Sequence, residues 1–150
     1  MSAGYDIQDN VLVKYSGSET EIVIPDGVIE IGDRAFEDQK KIVSVTMPES
    51  VIKVGSHAFE KCIKLKEITL SPNITVIEYE AFCGCKALKE LVLPVALQKL
   101  GSGVFAGCEK LSKLVCDAPE FVPESDPFHS YGEKDAVVSQ MKMDFLFTKV

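Results

Sequence analysis

The sequence predicts an α/β-type repeat solenoid, with short parallel strands on one face and short helical turns on the other. Two observations carry this. A phrase running from Val45-Thr46-Met47-Pro48 through Val51, Val54, Ala58-Phe59, Cys62 and Leu65 recurs 23 residues later as Ile68-Thr69-Leu70, Ile74, Ile77, Ala81-Phe82, Cys85 and Leu88. The same offset also links positions outside that pair, since Phe36, Phe59, Phe82 and Phe105 are spaced 23 apart. A fixed period of this length marks a solenoid, in which each unit buries its inner face against its neighbours.

Residues 1–24 are expected to form an N-terminal cap and the first strand. Ile7, Val11, Val13 and Tyr15 alternate roughly with polar residues, as in a half-buried strand, and Ser16-Gly17-Ser18 signals a turn. A cap is needed because the first rung would otherwise expose apolar core and unpaired backbone. Residues 25–116 hold four 23-residue units. In each, an x-Φ-x-Φ strand such as Ser44-Val45-Thr46-Met47 has two inward residues and is stopped by proline, which cannot donate to a ladder. A second extended piece (Val51, Val54) ends at a bend carried by Gly55. The stretch Ser56 to Cys62 then reads as one or two helical turns, with Phe59, Cys62 and Leu65 on one face. Residues 117–150 leave the period. They begin as an acidic, Pro-rich connector and continue as a plausible helix over 133–143 with an apolar Phe145-Leu146-Phe147, together read as a C-terminal cap. A docking or dimerisation tail is the other reading.

The residues also carry a resemblance. The phrase Ile-Gly-x-x-Ala-Phe-x-x-Cys-x-x-Leu-x-x-Φ-x-Φ-Pro, met at Ile31 to Phe36, Val54 to Cys62 and Leu100 to Cys108, resembles the bacterial BspA-like leucine-rich repeat. The resemblance covers about residues 7–119 and implies a right-handed leucine-rich repeat solenoid. It departs at Gln39 for Cys, Glu78 for Gly, Ser71-Pro72 for Pro and Val104 for Ala. Glu78 puts the bend of its rung in question. Members of that family are often found on or outside cells and bind other proteins, host matrix components included, and this is what the resemblance implies here.

Composition excludes several classes. The 150 residues carry a formal charge of −7, which argues against nucleic acid and anionic membrane surfaces, since phosphate binding needs a basic excess. No apolar run approaches the ~18 residues of a membrane span, so no membrane insertion is expected. The N-terminus has no basic region followed by an apolar core, so no signal peptide is expected. The expected location is cytoplasmic if the chain is complete, and secreted or cell-surface if it has been trimmed.

Five cysteines cannot all pair within the chain. Cys62, Cys85 and Cys108 share one column and read as small buried hydrophobes, as does Cys116 in a leucine column. Cys83 falls in the column of Glu37, Glu60 and Ala106 and is predicted to be an exposed thiol. No metal, cofactor or catalytic residue is expected. Cys83-Gly84-Cys85 points its thiols about 200° apart on a helical turn, and His57 and His129 lie outside ligand spacing. Asp126, His129 and Ser130 are close only in sequence, which is not triad geometry. Neither a Gly-x-Ser-x-Gly elbow nor a phosphate loop occurs.

The surface left for function is the outward side of the strands. It forms two columns: Glu21, Ser44, Glu67, Glu90, Lys113, and Val23, Thr46, Thr69, Val92, Val115. These are the candidate protein-binding residues, on a flat, partly apolar, mildly acidic strip suited to a protein segment rather than a small molecule. Solvated strand propensity is the plain alternative. A basic stripe (Lys41, Lys64, Lys66, Lys86, Lys89, Lys110) follows the return to each strand and reads as solvated surface. The expected function is a non-catalytic protein-binding module, monomeric or homodimeric, in a cell-surface, adhesin-like setting. An intracellular scaffold or dimerising assembly module is the alternative. A glycan-binding module comes third, because the strand columns contain no aromatic residue.

Overall fold

The computed structural model describes residues 4–116 and 126–128. The proposed helix at 133–143, Phe145-Leu146-Phe147, His129, Ser130 and nearly all of the connector lie outside the described residues.

The chain winds into a solenoid of about five turns. It opens with the antiparallel pair β1 (Tyr5–Gln8) and β2 (Val11–Tyr15). Each rung then begins with a strand of the first ladder: β3 (Glu21–Val23), β5 (Ser44–Thr46), β7 (Glu67–Thr69), β9 (Glu90–Leu93) and β11 (Lys113–Cys116). A second ladder is made of two-residue strands: β4 (Glu30–Ile31), β6 (Lys53–Val54), β8 (Val76–Ile77) and β10 (Lys99–Leu100). These continue from β2 in one six-stranded sheet, in which every pairing after β1–β2 is parallel. The register is one repeat throughout: Val45 pairs with Ile68, and Val54 with Ile77.

The third face differs from expectation. None of the described residues is helical. The stretches 33–38, 56–61, 79–84 and 102–107 are runs of turns, and the backbone shows why. Each carries two residues in the left-handed region: Arg34 and Asp38 (φ 59° and 61°), His57 and Lys61 (58° and 60°), Glu80 and Gly84 (52° and 75°), Gly103 and Gly107 (66° and 73°). A right-handed helix cannot run through such residues. Hydrogen bonding follows the same alternation. The N–H groups of Ala58, Glu60 and Cys62 bond three residues back, to Gly55, His57 and Phe59, while those of His57, Phe59 and Lys61 reach up to the carbonyls of Tyr79, Ala81 and Cys83 in the next rung. Half the donors therefore close turns and half join rungs, so this face is a third ladder.

The core lies between the three faces. Phe36, Phe59 and Phe82 are fully buried. Their rings stack at centroid separations of 4.9 and 5.4 Å, and the stack extends down to Tyr15 and up to Phe105 and Phe128. Phe128 keeps the 23-residue spacing from Phe105, and the N–H of Phe105 bonds to Pro127 O at 2.6 Å. The ring column thus reaches one rung past residue 116. The Cys62, Cys85 and Cys108 column is buried as expected. Cys116 is half-buried instead.

The departures from the repeat are absorbed in two ways. Glu78 keeps the bend: its N–H bonds to Val54 O, as those of Gly55 and Gly101 bond to Ile31 O and Ile77 O. Ser71-Pro72 changes more. Ser71 is fully buried, whereas Leu70 is only partly so, unlike its column mates Ile24, Met47 and Leu93. The Ser71 hydroxyl donates to Glu49 O at 3.2 Å, and the Asn73 amide donates to the same oxygen at 2.8 Å. The bend of the third rung is thereby tied to the second.

Candidate functional site

The two predicted columns exist on the first ladder. Glu21, Ser44 and Glu67 are in register, as are Val23, Thr46 and Thr69. Glu90 and Val92 are in register with Lys113 and Val115. All except Ser44 and Val115, which are half-buried, are exposed. Val23 keeps 69% of its surface in water and Val92 keeps 51%, a large apolar exposure for a sheet face.

The ladder is not continuous. It consists of a three-stranded sheet, β3-β5-β7, and a separate pair, β9-β11. Met47 N–H bonds to Thr69 O across one rung step, and Lys66 N–H bonds to Val43 O. Among the described residues, the corresponding bonds from Leu70 and Lys89 across the β7–β9 step are not made. The other two faces stay joined there, through the β8–β10 pairing and through Phe82 N–H to Val104 O. The rungs are therefore splayed on one side only. The Phe82–Phe105 ring separation, 6.2 Å, is the widest between successive repeat phenylalanines. The physical reason lies in the third rung. Ser71 and Asn73 bind it to Glu49 on one side, and Pro94-Val95-Ala96 opposite supplies no side-chain donor.

Two clefts flank this break. One, of about 300 Å³, is lined by Glu67, Thr69, Glu90, Val92, Lys113 and Val115 together with Lys66. The other, of about 270 Å³, continues along Thr69, Leu70, Pro72, Val92, Pro94 and Val95. The first has an acidic pair and two lysines at its strand starts, and the second is mostly apolar. Six of the ten predicted strand-face residues line the first cleft. Glu21, Val23, Ser44 and Thr46 lie on the intact sheet beside it. The sequence reading missed the cleft itself, and the proline displaced by one position in Ser71-Pro72 was the signal available for it.

The turn face holds a cluster that the sequence reading also passed over. His57 Nδ1 lies 2.7 Å from Glu60 Oε2 and 3.6 Å from Glu80 Oε1. The His57 ring meets Tyr79 edge-on. Sequence spacing did not bring these three residues together, because one of them comes from another rung. One neighbour comes three residues along the same turn, the other 23 residues on, from the rung above. Cys83 is half-buried rather than exposed, as are its column mates Glu37 and Glu60, because stacked turns cover one another. Cys85 points inward and is buried. All six lysines of the basic stripe are exposed. Asp126 Oδ1 accepts the Phe128 N–H at 2.9 Å, a local turn contact.

Comparison with known proteins agrees with this geometry. The family described as BspA type leucine rich repeat region matches residues 6–122, in six copies. A leucine rich cell surface protein of Faecalibacterium prausnitzii is 28% identical over 85% of this chain and 38% of its own, with a TM-score of 0.68. The pneumococcal vaccine antigen PcpA is 28% identical over 83% of this chain and 34% of its own, with a TM-score of 0.72. A leucine-rich repeat protein of Bacteroides capillosus is 30% identical over 77% of this chain and 96% of its own, with a TM-score of 0.67. The chain thus spans little more than a third of the first two. No curated protein matches it.

Proposed function

We propose that this chain, which belongs to the BspA-type leucine-rich repeat family, is a non-catalytic protein-binding module that docks its partner on the strand face at the β7–β9 break. The observation that carries this is the break itself. The Leu70 and Lys89 N–H groups lack the rung-to-rung bonds made by Met47 and Lys66, and the two clefts at this step share exposed Val92, one adding the acidic pair Glu67 and Glu90 and the other exposed Val95. Exposed aliphatic side chains flanked by charges on a sheet face take a protein segment by side-chain contact, the apolar positions giving area and the charges selectivity. Two of its structural relatives are a cell surface protein and a vaccine antigen, which supports a surface-exposed, adhesin-like setting.

The test compares wild type with Glu67→Lys/Glu90→Lys and, as a control on the basic stripe, Lys64→Glu/Lys110→Glu. Immobilised variants are exposed to extracellular matrix proteins and, separately, to cell lysate. Exposed charges add little stability, so all should fold within about 1 kcal/mol of wild type. A matrix protein held by wild type and the control but released by Glu67→Lys/Glu90→Lys is the expected outcome. A lysate protein with that pattern would favour the scaffold reading. Equal retention by all three would remove the site from the strand face.

A further inference from the structure

We propose that His57, Glu60 and Glu80 form a site for a divalent transition-metal ion, zinc fitting best, on the turn face between the second and third rungs. This site lies outside the strand-face groove and does not depend on it. His57 and Glu80 share a column of the repeat, and the His57 N–H bond to Tyr79 O at 3.0 Å fixes the two rungs in register. Glu60 is brought to His57 by the turn, its N–H bonding to His57 O at 3.2 Å. One ligand atom from each of the three side chains lies within 4.8 Å of the others.

Zinc takes imidazole nitrogen and carboxylate oxygen at about 2.0–2.2 Å in tetrahedral array, which sets donors roughly 3.3 Å apart. The present separations from His57 Nδ1, 2.7 and 3.6 Å, bracket that value. Each side chain keeps only 13–16% of its surface in water. The set is therefore held in place yet open on one side for a fourth ligand. An imidazole with two carboxylates suits zinc over magnesium or calcium, which take oxygen ligands alone. The donor set carries two negative charges once the imidazole is neutral, an excess a dication offsets. The neighbouring cation Arg34 is paired with Glu37 in its own turn. The site can occur only once, because Arg34 holds the His57 position in the rung below and Gly103 the Glu80 position in the rung above.

Calorimetric titration of the whole, metal-free chain with zinc chloride tests the proposal, with cobalt(II) absorption as a second readout. Cys83 sits one rung above Glu60, and thiols also bind zinc, so Cys83→Ser is included. The expected result is one zinc per chain, weakened about tenfold or more by His57→Asn and by Glu80→Gln, and retained in Cys83→Ser. Asparagine tolerates the left-handed backbone at position 57, so that variant should fold, and metal-free circular dichroism checks it. Glu60→Gln carries the same expectation should His57→Asn fail to fold. No binding by wild type overturns the proposal. So does binding that Cys83→Ser abolishes while the His57 and Glu80 variants keep it.

Discussion

Gln39 stands where later rungs place Cys62, Cys85 and Cys108, and the four side chains do the same thing. Each thiol donates to the carbonyl of the ring residue one rung below: Cys62 to Phe36 O at 3.1 Å, Cys85 to Phe59 O at 3.2 Å, Cys108 to Phe82 O at 3.1 Å. Gln39 sends its amide to Tyr15 O at 3.1 Å. The column needs a donor of the right reach, which reading cysteine as a small hydrophobe overlooks. Burial pushes the Cys62 thiol up to about 12 and holds that of Cys85 well above its ordinary value. In alkali the unfolded chain ionises these thiols near 9 while the folded chain resists. The contribution of Cys62 to stability is thus complete below pH 9 and declines from there toward about 12, and that of Cys85 likewise declines as pH rises above 9. Native-state alkylation at neutral pH should modify Cys83 ahead of Cys62, Cys85 and Cys108. Equal labelling of all four would contradict the column.

At the scale of elements, the ring column and the first ladder illustrate two kinds of legibility. The columns were readable because burial repeats with the period, and every repeat phenylalanine from Phe36 to Phe105 is buried. Phe82→Ala should cost about 3–5 kcal/mol in denaturant titration, and a loss under about 1 kcal/mol would contradict its stacking between Phe59 and Phe105. The turn face was misread because apolar spacing of three suits both a helix and a run of turns. What separates them is the backbone at Arg34, His57 and Glu80, which residue type does not reveal. The strand-face residues were legible through alternation alone. The break between β7 and β9 was not, since it depends on which way the Ser71 hydroxyl and Asn73 amide point. In hydrogen exchange, the amides of Leu70 and Lys89 should be less protected than their counterparts Met47 and Lys66. Equal protection would mean that the ladder closes in solution.

The whole molecule is a stack in which each rung touches only the next, so its stability is a sum of rung and interface terms. The interfaces are unequal. The first three rungs are joined on all three faces, while the third and fourth are joined on two. The strand-face clefts and this less fully joined step are the same place. The paired acidic and imidazole groups lie on another face, one step toward the N-terminus, where all three ladders are intact.

That inequality sets how the chain responds to tension. Pulled along its axis, the stack shares the load among three ladders over the first three rungs and between two at the β7–β9 step. That step yields before the two below it, so the first three rungs stay together as a block when it opens.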